Sequence, residues 1–363
     1  MPHPTLEDAR ELSNWRPQLG VISVYLQFDP ADRGGGWRTA LRNGVDRTVD
    51  LAEGAEHERR VAVRATAKRL LERFEDERVR PPPRGEAGFL EVSEREGEER
   101  WWDTGVAPAI PAVVLTEQPV VTELVDLCRR GKAFGVVLLS AERVRLLSFA
   151  EGDLEELDEW EMTILSLDWR ERKAQSTPNP ARAQGISASG RDQYGERLEH
   201  NRQRFLAESG RLAGERLRER GLGEVLTFGP KADVEKFWKG LGPTQMRAEL
   251  GGEADLISTP RGELIDEVSA AVERIRSERD RDVVERALEE ARGGSRGSAG
   301  LQETKEALVL RRVDNLAFDP GIGEPAEELV RGAFAGDAEI TIARDGVAEL
   351  LQPAEGVAAI LRY

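Results

Sequence analysis

Apolar positions recur along this chain at two periods, about two and about 3.6 residues, and the switches between them lay out its elements. Residues 20–28, rich in β-branched and aromatic side chains, end at Asp29-Pro30, which predicts a strand followed by a turn. Helical spacing follows over 37–49 and over 56–78, where Val61, Ala65, Lys68, Leu70, Leu71 and Phe74 form the predicted stripe and Pro81-Pro82-Pro83 ends the helix. Short strands at 88–93 and 99–104 flank a turn at Glu96-Gly97. These elements predict an α/β domain over residues 1–131.

The run 134–139 is apolar on both faces, the mark of a central strand, and 144–149 pairs with it across Ser140-Ala141-Glu142. Residues 151–161 hold seven acidic side chains and no basic one, so this segment is expected to face water, away from any anionic partner. The aperiodic stretch 175–189, rich in Ser, Pro, Asn and Gly, reads as a loop leading into Gly190-Arg191-Asp192-Gln193. Asp192 is placed to cap a long helix starting at Gln193. Leu198, Phe205 and Leu212, with Leu206, Ala213 and Leu217, are its predicted buried stripe, and Arg197, Arg204, Arg211 and Arg218 recur at every seventh position beside it. Two readings of that column stay open: contact with a phosphate backbone, or pairing at helical spacing with Glu196, Glu199, Glu208, Glu215 and Glu219.

Further on, strands are predicted at 223–228 and in part of 250–258, and helices at 231–240 and 261–291, the latter with a break near Arg279-Asp280. A flexible Gly/Ser loop at 293–300 precedes a helix at 301–308 and strands at 309–317, with Arg311-Arg312 inside, at 338–343 and at 356–363. Strands alternating with helices make residues 278–363 an α/β/α sandwich, after a middle domain at 132–277. The fold class is therefore α/β, in three α/β domains.

Composition narrows the chemistry. One cysteine, Cys128, and three scattered histidines, His3, His57 and His200, exclude a disulfide framework and leave no metal-like ligand spacing, so neither metal nor cofactor is expected. Gly34-Gly35-Gly36 lacks the rest of a phosphate-binding fingerprint and reads as a loop. The N-terminal residues lack a signal-peptide pattern, and no apolar run reaches the ~20 residues of a membrane helix, so a cytoplasmic protein is expected. Arginine outnumbers lysine 45 to 7, but most arginines are interleaved with glutamates, as on a solvated helix face. The local excess is more informative: residues 169–220 hold twelve Lys/Arg against seven Asp/Glu in a chain of formal charge −16. A basic island on an acidic protein points to a polyanion at that place.

Five landmarks in order resemble the archaeal and eukaryotic class I peptide-chain release factors and their Pelota relatives, most of all a bacterial branch with the same three-domain layout. They are the opening strand Gly20-Val-Ile-Ser-Val-Tyr-Leu26; Lys132-Ala-Phe-Gly-Val-Val-Leu-Leu-Ser140, like the entry to the family's middle domain; and Gly190-x-x-Gln193 ahead of Arg197 and Arg202, where the family carries its Gly-Gly-Gln loop. The remaining two are Gly300-Leu-Gln-Glu-Thr-Lys-Glu-Ala-Leu308 with Val313-Asp-Asn-Leu316, and the ending Gly356-Val-Ala-Ala-Ile-Leu-Arg-Tyr363. Gly-x-x-Gln alone carries nothing, since 36 Gly and 10 Gln give about one such tetrapeptide by chance.

The resemblance implies a ribosome-associated release or rescue factor that acts on peptidyl-tRNA and contacts ribosomal RNA, with a translational GTPase as a further partner. Gly190, Asp192 and Gln193 would then form the reacting tip, and Arg182, Arg191, Arg197, Arg202 and Arg204 the RNA contacts. An amide does not titrate near neutral pH, so Gln193 fits the orientation of water and not general-base work. Asp192 stands where the family has its second glycine, and three consequences stay open. It caps the helix; it helps a different cleavage at the tRNA 3′ end, with Glu196 one turn on; or hydrolysis is lost and the protein is a Pelota-like binding module. Asn-Ile-Lys-Ser and Tyr-x-Cys-x-x-x-Phe are missing from the first 131 residues, which argues against codon-specific termination.

Overall fold

The alternation of Ile22, Val24 and Leu26 with Val21, Ser23 and Tyr25 gives strand β1 (Val21–Gln27) two apolar faces, and both are covered. In the computed structural model, which describes residues 3–28, 35–75, 84–162, 187–242, 246–294 and 296–363, β1 lies inside an antiparallel sheet. The order is β3-β2-β1-β4, with β2 at Gly85–Glu91, β3 at Glu99–Thr104 and β4 at Ala112–Thr116. One face packs on α2 (Gly36–Ala52) and α3 (His57–Glu75) through Leu41, Val45, Leu70 and Phe74. The other, with Tyr25, Phe89 and Trp102, meets α1 (Leu6–Ser13) and α4 (Thr122–Arg130) through Leu12 and Leu124.

Chain contacts divide the molecule into two units, Met1–Lys132 with Arg274–Tyr363, and Ala133–Glu273. The core under α1 and α4 runs on without a gap into the C-terminal segment, taking in Leu316, Phe318, Leu329 and Val330. Those residues belong to a second sheet, of order β10-β13-β11-β12, formed by Gly297–Ala299, Val357–Leu361, Val313–Phe318 and Glu339–Ile342 respectively. Helices α8 (Leu301–Val309) and α9 (Glu324–Ala335) cover the face that joins this shared core. The opposite face packs on Val284 and Ala287 of α7 (Arg261–Arg292) and on α10 (Asp345–Leu351), which completes an α/β/α sandwich.

A carboxylate ties the two segments of this unit together. Helix α4 has Val121 at its N-cap, a residue without a capping oxygen. Glu327 of α9 replaces it, accepting hydrogen bonds from the Val121 and Thr122 N–H groups at 2.9 and 2.8 Å.

The second unit is a five-stranded sheet of order β7-β6-β5-β8-β9, in which β5 (Phe134–Leu139) is central and wholly buried. Strand β6 (Arg143–Ala150) pairs antiparallel with it and β7 (Asp153–Glu161) antiparallel with β6, whereas β8 (Glu224–Phe228) adds parallel to β5 and β9 (Arg247–Gly252) parallel to β8. Helices α5 (Ser187–Glu219) and α6 (Lys231–Leu241) share a core with Val137, Leu139 and Val225. They touch backbone to backbone: a Cβ on Gly240 would collide with the carbonyl oxygen of Ala207, and one on Gly210 with that of Phe237. A Cβ on Gly135 of β5 would likewise meet the side chain of Leu217.

Several expectations are corrected. The buried line of α3 is Ala62, Val63, Thr66, Ala67, Leu70 and Phe74, so the predicted stripe through Val61, Ala65 and Lys68 is rotated by about one residue. Helix α7 runs unbroken through Arg279-Asp280, because Asp280 is held by an ion pair with Arg129 and no Gly or Pro interrupts the turn. The loop 293–300 contains strand β10, which pairs with β13. Arg311-Arg312 precedes β11, which begins at Val313, and only residues 247–252 of the region around 250–258 are strand. Gly36 opens α2 behind a left-handed Gly35, whereas Gly34, Asp29-Pro30 and Pro81-Pro82-Pro83 lie outside the described residues. Helices α1, α4, α9 and α10 and strand β4 have no counterpart among the elements predicted from the sequence.

Two substitutions test these joints by urea denaturation. Glu327→Ala leaves two N–H groups at the start of α4 without an acceptor and should lower stability by about 2 kcal/mol. Gly240→Val should cost about 3 kcal/mol, whereas Gly221→Ala, with open space around it, should cost only the backbone strain of its left-handed conformation.

Candidate functional site

Every sequence-predicted site residue except Arg182 falls on α5, and Arg182, with the stretch 175–186, lies outside the described residues. The helix starts at Ser187, so Gly190, Arg191, Asp192 and Gln193 occupy its first two turns. Asp192 is therefore not an N-cap. Nothing in Ser187-Ala-Ser obliges the chain to wait until Gln193, and Gly190 costs a helix interior only about 1 kcal/mol. For residues 187–197, Arg197 included, the helical backbone is described and the side chains are not.

From Leu198 onward the side chains have partners. The fully buried line is Leu206, Ala213 and Leu217, with Leu198, Phe205 and Leu212 at its margin. Arg202 pairs with Asp233 in the first turn of α6, and that carboxylate is 5% exposed. One turn earlier, Glu199 accepts from Lys236 at 2.8 Å and from Gln203 at 2.9 Å, which holds its carboxyl below the usual range. In the arginine column, Arg211 is bound between Glu208 and Glu215 at 2.8 and 2.6 Å, and Arg218 donates to the Gly214 carbonyl at 2.8 Å. Arg204 is exposed and, among the described residues, has no such partner.

The acidic segment 151–161 forms edge strand β7 and faces this helix as well as water. Asp158 pairs with Arg216 at 3.2 Å and Glu155 with Arg220 at 3.3 Å. Arg143 and Arg145 of β6 take Glu161 and Glu156, each at 2.9 Å, and Arg261 takes Asp153 at 2.7 Å. Arginines of the C-terminal half of α5 are thus engaged by the protein's own carboxylates, and most of the positive excess of residues 169–220 lies ahead of the helix, where Arg170, Arg172, Lys173 and Arg182 stand against Glu171 alone. Asp233 and Lys236 went unnoticed in the sequence, because the pairs they form span 31 and 37 residues and no periodicity links them.

Thiol chemistry does not compete with this site. Burial and the nearby Asp8 carboxylate push the Cys128 thiol up to about 12, so it is neutral near pH 7 and a poor nucleophile.

The arrangement is a long helix, seated by its C-terminal half on a compact sheet, that carries Gly190–Gln193 at the other end. Residues 119–292, just under half of the chain, match the family model of bacterial archaeo-eukaryotic release factor family 10. Among solved structures, the chain is similar to the archaeal translation termination factor aRF1, at 19% identity over 99% of this chain and 97% of that one, with a TM-score of 0.28. It is also similar to archaeal Pelota in a ribosome-bound model with ABCE1, at 14% identity over 100% and 95%, TM-score 0.40. A third likeness is S. cerevisiae Dom34, a termination-like factor interacting with Hbs1, at 10% identity over 77% and 80%, TM-score 0.41. No curated protein matches the chain. The family match takes in both the sheet of the second unit and the helix bearing Gly190–Gln193, and it supports a likeness to release factors of the bacterial archaeo-eukaryotic type.

Proposed function

We propose that the protein is a ribosome-associated release or rescue factor that hydrolyses the peptidyl-tRNA ester on stalled or split ribosomes. The observation that carries this reading is the family match over 119–292, within which Gly190-x-x-Gln193 sits at the far end of α5 in a locally basic stretch of an acidic chain. In this reading Gln193, with Gly190 allowing close approach, orients a water against the ester carbonyl by hydrogen bonding. Proton transfer falls to RNA groups, since an amide neither gains nor loses a proton near pH 7. Arg182, Arg191, Arg197 and Arg204 contact phosphates, an escorting translational GTPase belongs to the same reading, and the cytoplasm is its compartment. The division at 131 and 277 into three domains is part of the proposal.

Asp192 favours a second reading. A carboxylate between Gly190 and Gln193 repels RNA phosphates and hinders the close backbone approach a glycine permits. On that account the protein docks on ribosomes in the manner of Pelota without chemistry. A cut at the tRNA 3′ end, using Asp192 and Glu196, is the remaining alternative.

Purified protein mixed with ribosome-bound peptidyl-tRNA separates the three. Free peptide with intact tRNA is expected, and Gln193→Ala should slow its appearance on the order of a hundredfold. Release at the wild-type rate removes Gln193 from the mechanism. Peptide still joined to a CCA fragment identifies the nuclease, and neither product identifies the docking factor. Replacing Arg182 and Arg191 by glutamine should reduce the slope of log affinity against log salt by about one to two.

A further inference from the structure

We infer that Arg202 and Asp233, with Glu199 and Lys236 one turn away, form a clamp that aims the N-terminal part of α5, which makes Arg202 a positioning residue and not an RNA contact. This deepens the proposed function and rests on it for its consequence, though not for its geometry. Among the described side chains of α5, these two pairs are the ion pairs nearest its N-terminal end. Between Leu198 and Phe205 these two positions are the ones tied to α6: Asn201, Gln203 and Arg204 are exposed, Gln203 bonds only within the helix to Glu199 among the described contacts, and full burial begins at Leu206. The acceptor and the donor on the α6 side, Asp233 and Lys236, come from its first two turns, beside Val234 and Phe237 of the core, so the clamp grips from a firmly seated part of α6.

The Arg202–Asp233 pair is suited to hold direction. The Asp233 carboxylate is buried and Arg202 is half-buried, so water competes weakly for the bond, and a buried carboxylate that loses its cation has no other partner among the described contacts. Gln193 lies about 14 Å of helix rise beyond Arg202. A tilt of roughly ten degrees at the clamp displaces a group at that distance by about 2 Å, where a misplacement of about 1 Å is enough to slow an oriented reaction a hundredfold. The close contacts at Gly210 and Gly240 fix the C-terminal half of α5, and the clamp extends that seating by two more turns.

The full-length protein serves for the test, with two readouts. Amide hydrogen exchange over residues 187–201, measured without ribosomes, should speed up about tenfold in Asp233→Ala and in Arg202→Ala, and the double variant should be no faster than either. Peptide release from ribosome-bound peptidyl-tRNA should fall about tenfold at saturation in both single variants, with the half-saturating concentration and the salt slope unchanged. If Asp233→Ala does not fold, Lys236→Met, which removes only the partly exposed bond to Glu199, carries the test: faster exchange over 187–201 supports the clamp, and unchanged exchange overturns it. The inference is also overturned if Arg202→Ala raises the half-saturating concentration and flattens the salt slope while Asp233→Ala does neither, the signature of an arginine on RNA. A wild-type protein that releases no peptide sinks the hydrolytic reading alone, since exchange still reports on the clamp.

Discussion

Close approach of two helix backbones, permitted by glycine on each, is the contact on which the second unit depends. Gly210 and Gly240 bring α5 and α6 nearer than side chains allow, and Gly135 lets Leu217 sit down on the central strand. The seating leaves α5 little freedom to slide or roll, because a glycine contact has no flexible side chain to give way. A helix of 33 residues is stiff along its length, so fixing its C-terminal half also governs where the other end goes.

Charge is arranged to the same purpose. In a chain of net −16, a basic surface survives only where acidic neighbours are absent or already engaged. Strand β7 engages Arg216 and Arg220, and the glutamates of α5 itself engage Arg211. Pairs of this exposed kind contribute little stability one by one, roughly 0–1 kcal/mol. Their effect is one of distribution: they engage the arginines of the helix over the sheet with the protein's own carboxylates.

Much of this could be read from the residues, and the exceptions have physical causes. The central strand 134–139 and the closing strand were legible because residues buried on both faces leave continuous apolar runs. Of the two readings open for the arginine column, the pairing with glutamates holds at Arg211. What could not be read were contacts between distant residues: Asp233 looks like any acidic residue in a helix's first turn, and Glu327 like any glutamate, until the fold brings Arg202 and the start of α4 to them. The stripe of α3 came out one residue off, because small residues, Ala62, Thr66 and Ala67, line its buried face and give a weak periodic signal. The start of α5 was set too late because Asp192 is a good cap by type, and type alone does not tell a cap from a residue inside the first turns.

Leu12, Tyr25 and Leu124 share one apolar layer with Leu316, Phe318 and Leu329, and the whole second unit is translated between them. During synthesis the N-terminal sheet emerges with its own helices on both faces, but the apolar layer under α1 and α4 waits for some 140 residues of intervening chain before its C-terminal part arrives, a delay of about ten seconds or more at ordinary elongation rates. Glu327, which caps α4, comes out later still, so that helix spends the interval with frayed amides. Closure of these distant pairings is accordingly the slow step expected in the maturation of this unit.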